Sequence, residues 1–265
     1  MMILTEKDRN NLIHSLLLMG EALTQCGAEI FRVEDTLNRI GYAYGVKEMN
    51  VFVITSGMVI TMDYADGSSI TETRRMRGIT GNDFEELESI NELSREICLN
   101  PVPVAEFAER MDAILRRKAQ AKGFKAARGV IAGSALAAGA FALFFGGDVA
   151  DGIAAAIFSL LIVWMQMKVA PACMTREVFE FICSFAVFLL IGVTCRLVPG
   201  LAQDKIMIGD IMLLVPGVAF TNSIRDILLG DTLSGILRFI EAMLLTGALA
   251  AGAIAAMWLV AGIVG

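Results

Sequence analysis

The chain has 265 residues, of which 56% are hydrophobic and only 19% charged, with a formal net charge of −6 and a mean hydropathy of +0.65. That composition is too apolar for one soluble domain. The acidic balance, without a basic face, zinc-finger spacing or an RNA-binding aromatic motif, also argues against a nucleic-acid partner. After Arg128 the basic residues are Lys168, Arg176, Arg196, Lys205, Arg225 and Arg238, whereas the first half mixes both signs densely. A polar half followed by a membrane half is the expected organisation.

The start, MMILTEKDRNN, has no basic region leading into an apolar run, so no cleaved signal peptide is expected. From Asp8 to Cys26, apolar residues recur at Leu12, Leu16, Met19 and Leu23, with Gly27 just beyond, which reads as an amphipathic helix ending at a glycine. A second helix carries Ile30, Val33, Leu37 and Ile40 at spacings of three and four and stops around Gly41 to Gly45. The period then changes. MNVFVIT, MVITMDY and SITETRRMR are β-branched and aromatic runs separated by Ser56-Gly57 and Ala65-Asp66-Gly67, which predicts a three-stranded antiparallel meander. Asn82 with Glu85 has the spacing of a capping box ahead of a helix bearing Phe84, Leu87, Ile90, Leu93 and Ile97, ended by Asn100-Pro101. Residues 1–122 are therefore expected to form a cytoplasmic α+β domain with a linking amphipathic helix, and 123–265 a transmembrane domain.

The polar half offers little chemistry. His14 has no nucleophile at motif spacing and reads as a helix-face histidine, and Arg74, Arg75 and Arg77 read as a charged sheet edge. There is no Walker A sequence and no dinucleotide fingerprint, so no cofactor is expected. The five cysteines, Cys26, Cys98, Cys173, Cys183 and Cys195, lack a CxxC pair and read as reduced small hydrophobes, with no metal site.

A helix from Val104 to about Lys122 carries Arg116, Arg117, Lys118 and Lys122, followed by Lys125 and Arg128, immediately before an apolar span. This basic collar places the N-terminus in the cytoplasm. Five crossings are expected: Gly129–Phe145, Ile153–Lys168, Val178–Val198, Ile206–Leu229 and Gly235–Ile263. The loop at Asp148 and Asp151 would be external, and the loop with Lys168 and Arg176 internal. Gly129/Gly133, Ala135/Gly139, Gly247/Ala251 and Ala248/Gly252 are small-xxx-small pairs that let helices approach closely in lipid.

The fourth span is the unusual one. Pro216 removes a helix donor and Gly217 relaxes the backbone beside it, so this helix should break, and freed backbone at membrane depth survives only inside protein or around a watery cavity. Transporters place substrate and ion sites at such discontinuous helices. Beyond the break, Asn222, Arg225 and Asp226 share one helical face at i, i+3 and i+4, with Thr221 beside them; Arg238 and Glu241 share another at i, i+3. Asp210, Arg225, Asp226, Arg238 and Glu241 are ionisable groups in apolar surroundings, which pair with each other or face a cavity. Asp231, followed by Thr232 and a new helix, reads as an N-cap.

The stretch GEALTQCGAEIFRVEDTLNRIGYAYG, the sheet beginning NVFVIT, and the signature LVPGVAFTNSIRDILLGD followed by SGILRFIEA resemble the threonine/serine exporter family from about Met19 to Ala250. Members with both halves fused carry a second membrane module. This chain stops at Gly265 without one, and so resembles the larger subunit of two-component members, some associated with succinate. The resemblance implies a multi-pass cell-membrane exporter of a small hydroxy amino acid or dicarboxylate, driven by an ion gradient, with a small membrane subunit of the same family as partner. A homo-oligomer is the other expected way to cover the polar face of the fourth helix. Carried over onto matching positions, the implied site residues are Pro216 and Gly217 at the break, then Asn222, Arg225, Asp226, Asp231, Arg238 and Glu241. In the mechanism expected here, Asn222, Arg225, Arg238 and Thr221 bind substrate, and Asp226, Glu241 and Asp210 carry protons, with Asp226 and Glu241 favoured because an arginine lies within one turn of each. The competing reading is a membrane-anchored sensor or enzyme whose active part is the N-terminal domain.

Overall fold

A computed structural model of the protein describes residues 4–76, 81, 83–121 and 124–264. It is mostly helical with one small sheet. The chain divides into two compact units, one of residues 1–121 with 218–239 and the other of 122–217 with 240–265. The divide expected from sequence, between 122 and 123, falls outside the described residues. Residues 218–239, expected in the membrane half, group instead with the N-terminal unit.

In the N-terminal unit, α1 (Glu6–Gln25) starts at a complete capping box between Thr5 and Asp8, and α2 (Ile30–Ala43) follows a turn through Gly27 at φ 85°. The three strands β1 (Glu48–Ile54), β2 (Gly57–Asp63) and β3 (Ser69–Arg75) form an antiparallel meander in the order β1-β2-β3, pairing Phe52 with Val59 and Val59 with Thr73. Alternation does the sorting here: Met58, Ile60 and Met62 of β2 point into the core while their neighbours do not. α3 (Phe84–Leu99) and α4 (Val104–Ala121) complete the layer, and Leu12, Leu16, Leu37, Ile40, Ile90 and Phe107 are buried in the one core these elements share.

Several local expectations change. The cap of α3 is Asp83, whose carboxylate accepts from the Glu86 N–H at 3.1 Å. The expected capping residue Asn82, like Arg77 and Lys122, lies outside the described residues. Arg74, assigned to a charged edge, donates to Glu21 of α1 at 2.5 Å and so ties the sheet to the helical layer. His14 is exposed on α1, and the five cysteines, all among the described residues, form no disulfide.

The second unit holds α5 (Phe124–Phe144), α6 (Val149–Lys168), α7 (Arg176–Leu197) and α8 (Gln203–Ile211). α9 (Gly217–Leu229) and α10 (Thr232–Val264) belong partly to each unit. Among the described residues three helices are long and apolar enough to cross a membrane, Val149–Ala172, Arg176–Leu197 and Thr232–Gly262, while the apolar part of α5, Arg128–Phe144, is shorter. The chain is a membrane protein. Ile153, Ile157, Leu160 and Trp164 form an exposed apolar stripe along α6, the kind of surface that lipid or another subunit covers.

The expected fourth span breaks into two separate helices. α8 and α9 have 9 and 13 residues, and at 1.5 Å per residue neither reaches across a hydrocarbon core of about 30 Å. Between them, residues 212–216 form turns in which Leu213, Leu214 and Val215 donate to Asp210, Ile211 and Ile211. Pro216 accordingly stands at the end of a break that begins well before it. Asp151, expected in an external loop, is buried in the first turn of α6, where its carboxylate accepts from Asp148 N at 2.9 Å and from Ala202 N at 2.8 Å.

The small-residue pairs divide. A Cβ on Gly139 would lie 2.9 Å from the Gly152 carbonyl, and one on Gly252 would meet Ser184 and Phe181, so both mark close crossings. Gly129, Gly133 and Gly247 face open space. Gly209, in no predicted pair, also marks a close crossing, of α8 on α5, with 2.6 Å from a built Cβ to the Ala138 carbonyl.

Candidate functional site

The turn that ends α1 leaves a short segment, Gly27-Ala28-Glu29, before α2 begins at Ile30. A helix start has unpaired N–H groups and a partial positive charge, and Glu29, the residue at the cap position, makes no side-chain capping bond. Asp226 of α9 supplies the anion instead. Its Oδ1 accepts from Ile30 N at 3.3 Å, and its Oδ2 accepts from the Arg238 guanidinium at 2.9 Å. Arg238 then donates from its other terminal nitrogen to the Ala28 carbonyl at 3.2 Å. Asp226 is fully buried and the Arg238 side chain only 6% exposed.

The helical face expected from i, i+3, i+4 spacing meets this segment residue by residue. Asn222 donates to the Gly27 carbonyl at 3.0 Å, Arg225 pairs with Glu29 at 2.6 Å, and Asp226 takes Ile30 N. The pairings differ from those expected: Asp226 is held by Arg238, and Arg225 by Glu29. Glu241 is exposed and sits beyond residue 239, and Thr221 is exposed on α9. α9 returns onto the start of α10 through Gly235, where a Cβ would lie 2.7 Å from the Ser223 carbonyl. Asp231 stands at the head of α10 with its carbonyl accepting from Gly235 N at 2.9 Å, as an N-cap residue should. Ser234 donates to the Val53 carbonyl at 3.3 Å, while Glu34 of α2 accepts from Val53 N at 2.8 Å. Together these occupy the outer edge of β1. Burial pushes the Glu34 carboxyl upward, and the nearby Asp231 adds to that, against the pull of the Val53 N–H.

Asp210, Pro216 and Gly217 belong to the second unit, whereas this cluster is built within the first. Asp210 is fully buried in α8, and neither of its oxygens has a hydrogen-bond partner among the described residues. Glu180 of α7, overlooked in the sequence, is also buried, with one oxygen unpartnered and the other 3.9 Å from Arg176. Glu180 lay inside an expected span and was legible there as a charge in an apolar run. The partners of Asn222 and Arg225 were not legible, because they lie 195 and 196 residues upstream, as the residue numbers 27 and 29 show.

A family model described as "Putative threonine/serine exporter" matches residues 14–260. The chain is 25% identical over 240 residues, 89% of its own length and 88% of the relative's, to the "Probable succinate transporter subunit YjjP" of Klebsiella aerogenes. No solved structure matches.

Proposed function

Since the chain belongs to the threonine/serine exporter family, whose matched members are transporters and not enzymes, we propose that it is the larger subunit of a proton-coupled secondary exporter for a small carboxylate-bearing metabolite. The substrate class is threonine, serine or a dicarboxylate such as succinate. The relative's description as a transporter subunit supports a second, smaller membrane subunit as partner.

The observation that carries proton coupling is Asp210. An ionisable group inside a membrane bundle pairs with another group, or lies on an ion path. Asp210 is the described carboxylate with both oxygens buried and unbonded. In this reading it takes up and releases the coupled proton, and Glu180, on the neighbouring α7, is the second carboxylate available to that path. Asp226 and Arg238 then have a different part from the one expected of them. Arg238 is the cation able to bind a carboxylate, and Asp226 is its resident counter-anion. A substrate carboxylate reaching Arg238 must displace Asp226, so binding would weaken the grip of α9 on the start of α2. Such an exchange links substrate to conformation only through differential affinity for the two arrangements. Asn222 and Arg225 keep α9 aligned on the Gly27–Ile30 segment while it happens. The membrane is the cell membrane, crossed several times, with the basic N-terminal side in the cytoplasm.

The experiment is a metabolite survey of cells with and without the protein and its small partner. Accumulation of threonine, serine or succinate outside the expressing cells supports the reading; turnover of a metabolite by the N-terminal unit without export would replace it with the sensor or enzyme alternative.

A further inference from the structure

Burial along residues 218–239 runs opposite to that of a soluble surface helix. The buried positions of this stretch are Ser223, Asp226, Ser234, Gly235 and Arg238, none of them an apolar side chain. Large apolar side chains face outward instead: Ile224 and Leu228 four residues apart on α9, then Leu229, Leu233 and Ile236 around the Gly230 turn, with Leu228 80% exposed. α9 and α10 pack on each other through an edge-to-face contact of Phe220 with Phe239 at 5.7 Å and through the close approach at Gly235. The outward side chains thus stand on a packed helical hairpin. Its polar face is occupied within the unit, by the Gly27–Ile30 segment and by Val53 of β1. Its apolar face has no occupant among the described residues, and a monomeric soluble surface rarely leaves such a stripe to water.

Lipid tails do not cover it either. α10 has 33 residues, about 50 Å at 1.5 Å per residue, against a hydrocarbon core of about 30 Å. Glu241 is exposed on that helix, and the stretch beyond it, from Ala242 to Gly262, carries no charge and measures about 30 Å by itself. A carboxylate on the surface of a helix belongs at the edge of the core or outside it. The core therefore takes Ala242 onward and leaves residues 218–239 beyond the hydrocarbon. We infer that the outward face of the α9–α10 hairpin is where two copies of this chain dock, outside the hydrocarbon layer. Copies inserted the same way round are related by a two-fold axis along the membrane normal, which sets a lateral patch against itself at the same height. Leu233 and Ile236 then meet their own counterparts, and an apolar stripe is complementary to itself. Arg225, the cation on this side of α9, is paired with Glu29 at 2.6 Å, so docking brings no bare like charges together. A small membrane subunit suits the place less well, since most of its surface lies in lipid. That comparison alone rests on the proposed function; the face does not depend on what is exported.

The test places benzoylphenylalanine, a photocrosslinker that attacks neighbouring C–H bonds, at Leu233 and separately at Leu228, both exposed. The full chain is expressed in two differently tagged copies together with the proposed small partner, and native membranes are irradiated. A product of two chains carrying both tags is expected from each position. A product joining the chain to the small partner, a lipid adduct alone, or uncrosslinked chain at both positions would overturn the docking surface. Ile236→Glu, combined with the crosslinker at Leu228, sets two carboxylates against each other across the axis and is expected to lower the two-chain product about tenfold. Its unfolding midpoint should match the wild type, because Ile236 is exposed. An undiminished two-chain product in Ile236→Glu would also overturn the assignment, and the crosslinks in the otherwise unchanged chain decide it without that variant.

Discussion

Asp226 and Asp210 are both fully buried, yet their surroundings treat them oppositely. Asp226 has a helix N-terminus on one oxygen and a guanidinium on the other, so removing either member of the Asp226–Arg238 pair strands a buried charge. Such a loss costs roughly 3–5 kcal/mol. Asp226→Ala is expected to lose about that much in chemical or thermal unfolding, whereas Asp210→Asn, which breaks no hydrogen bond, is expected to fold and insert as the wild type does. Two carboxylates outside the membrane spans titrate with opposite sign. Hydrogen bonds from Arg9 and Ser68 hold Asp66 well below the ordinary carboxylate range. Its contribution is therefore present above an ordinary aspartate value of about 3.9 and is lost as the pH falls further. The stability difference between wild type and Asp66→Asn is expected to be level from about pH 6 to 8 and to shrink below about pH 4. Glu34 is the reverse case, since burial raises it, so its contribution is present below about 4.3 and is lost as pH rises. Glu34→Gln should therefore gain on the wild type between about pH 4 and 7, and a fixed difference across that range would contradict the assignment.

Helices in the apolar unit meet at glycine, and the positions can be told apart by what a methyl group would strike. Gly209→Ala places a Cβ against the Ala138 carbonyl, and Gly252→Ala one against Ser184 and Phe181; each is expected to destabilise by about 1–3 kcal/mol. Gly247→Ala adds a methyl to open space and should be neutral in the same unfolding measurement. Gly252 and Gly247 carried the same small-xxx-small spacing in the sequence, which records that a backbone could approach and not whether one does. The meander was legible because β2 and β3 alternate and the connections carry Ser56, just before Gly57, and Gly67. The break at Pro216-Gly217 was legible too, but its length was not: Met212 to Val215 favour helix by composition, yet turns begin at Met212. The shared face of Asn222, Arg225 and Asp226 followed from helical spacing alone. Its partner could not, because the loop it grips lies far upstream and is joined to it only by the fold.

At the scale of the molecule, residues 218–239 make the N-terminal unit discontinuous in sequence. Cutting the chain after residue 121 removes Asp226 from Ile30, Arg238 from Ala28 and Ser234 from Val53. The fragment 1–121 is thus expected to unfold at a lower temperature than the same fragment joined by a flexible linker to 218–239, with equal midpoints counting against these contacts. The exposed apolar stripe on α6 supports covering by another subunit, and a fully active detergent-solubilised monomer in native mass measurement would argue otherwise. The central claim, a proton-coupled exporter working through Asp210, is met most directly in proteoliposomes. They would contain the chain and the proposed small partner and be loaded with labelled threonine or succinate, and efflux would be followed with and without an imposed pH gradient. Asp210→Asn is expected to retain exchange of labelled for unlabelled substrate and to lose the gradient-driven component; gradient-driven efflux of wild-type size in that variant would contradict the account.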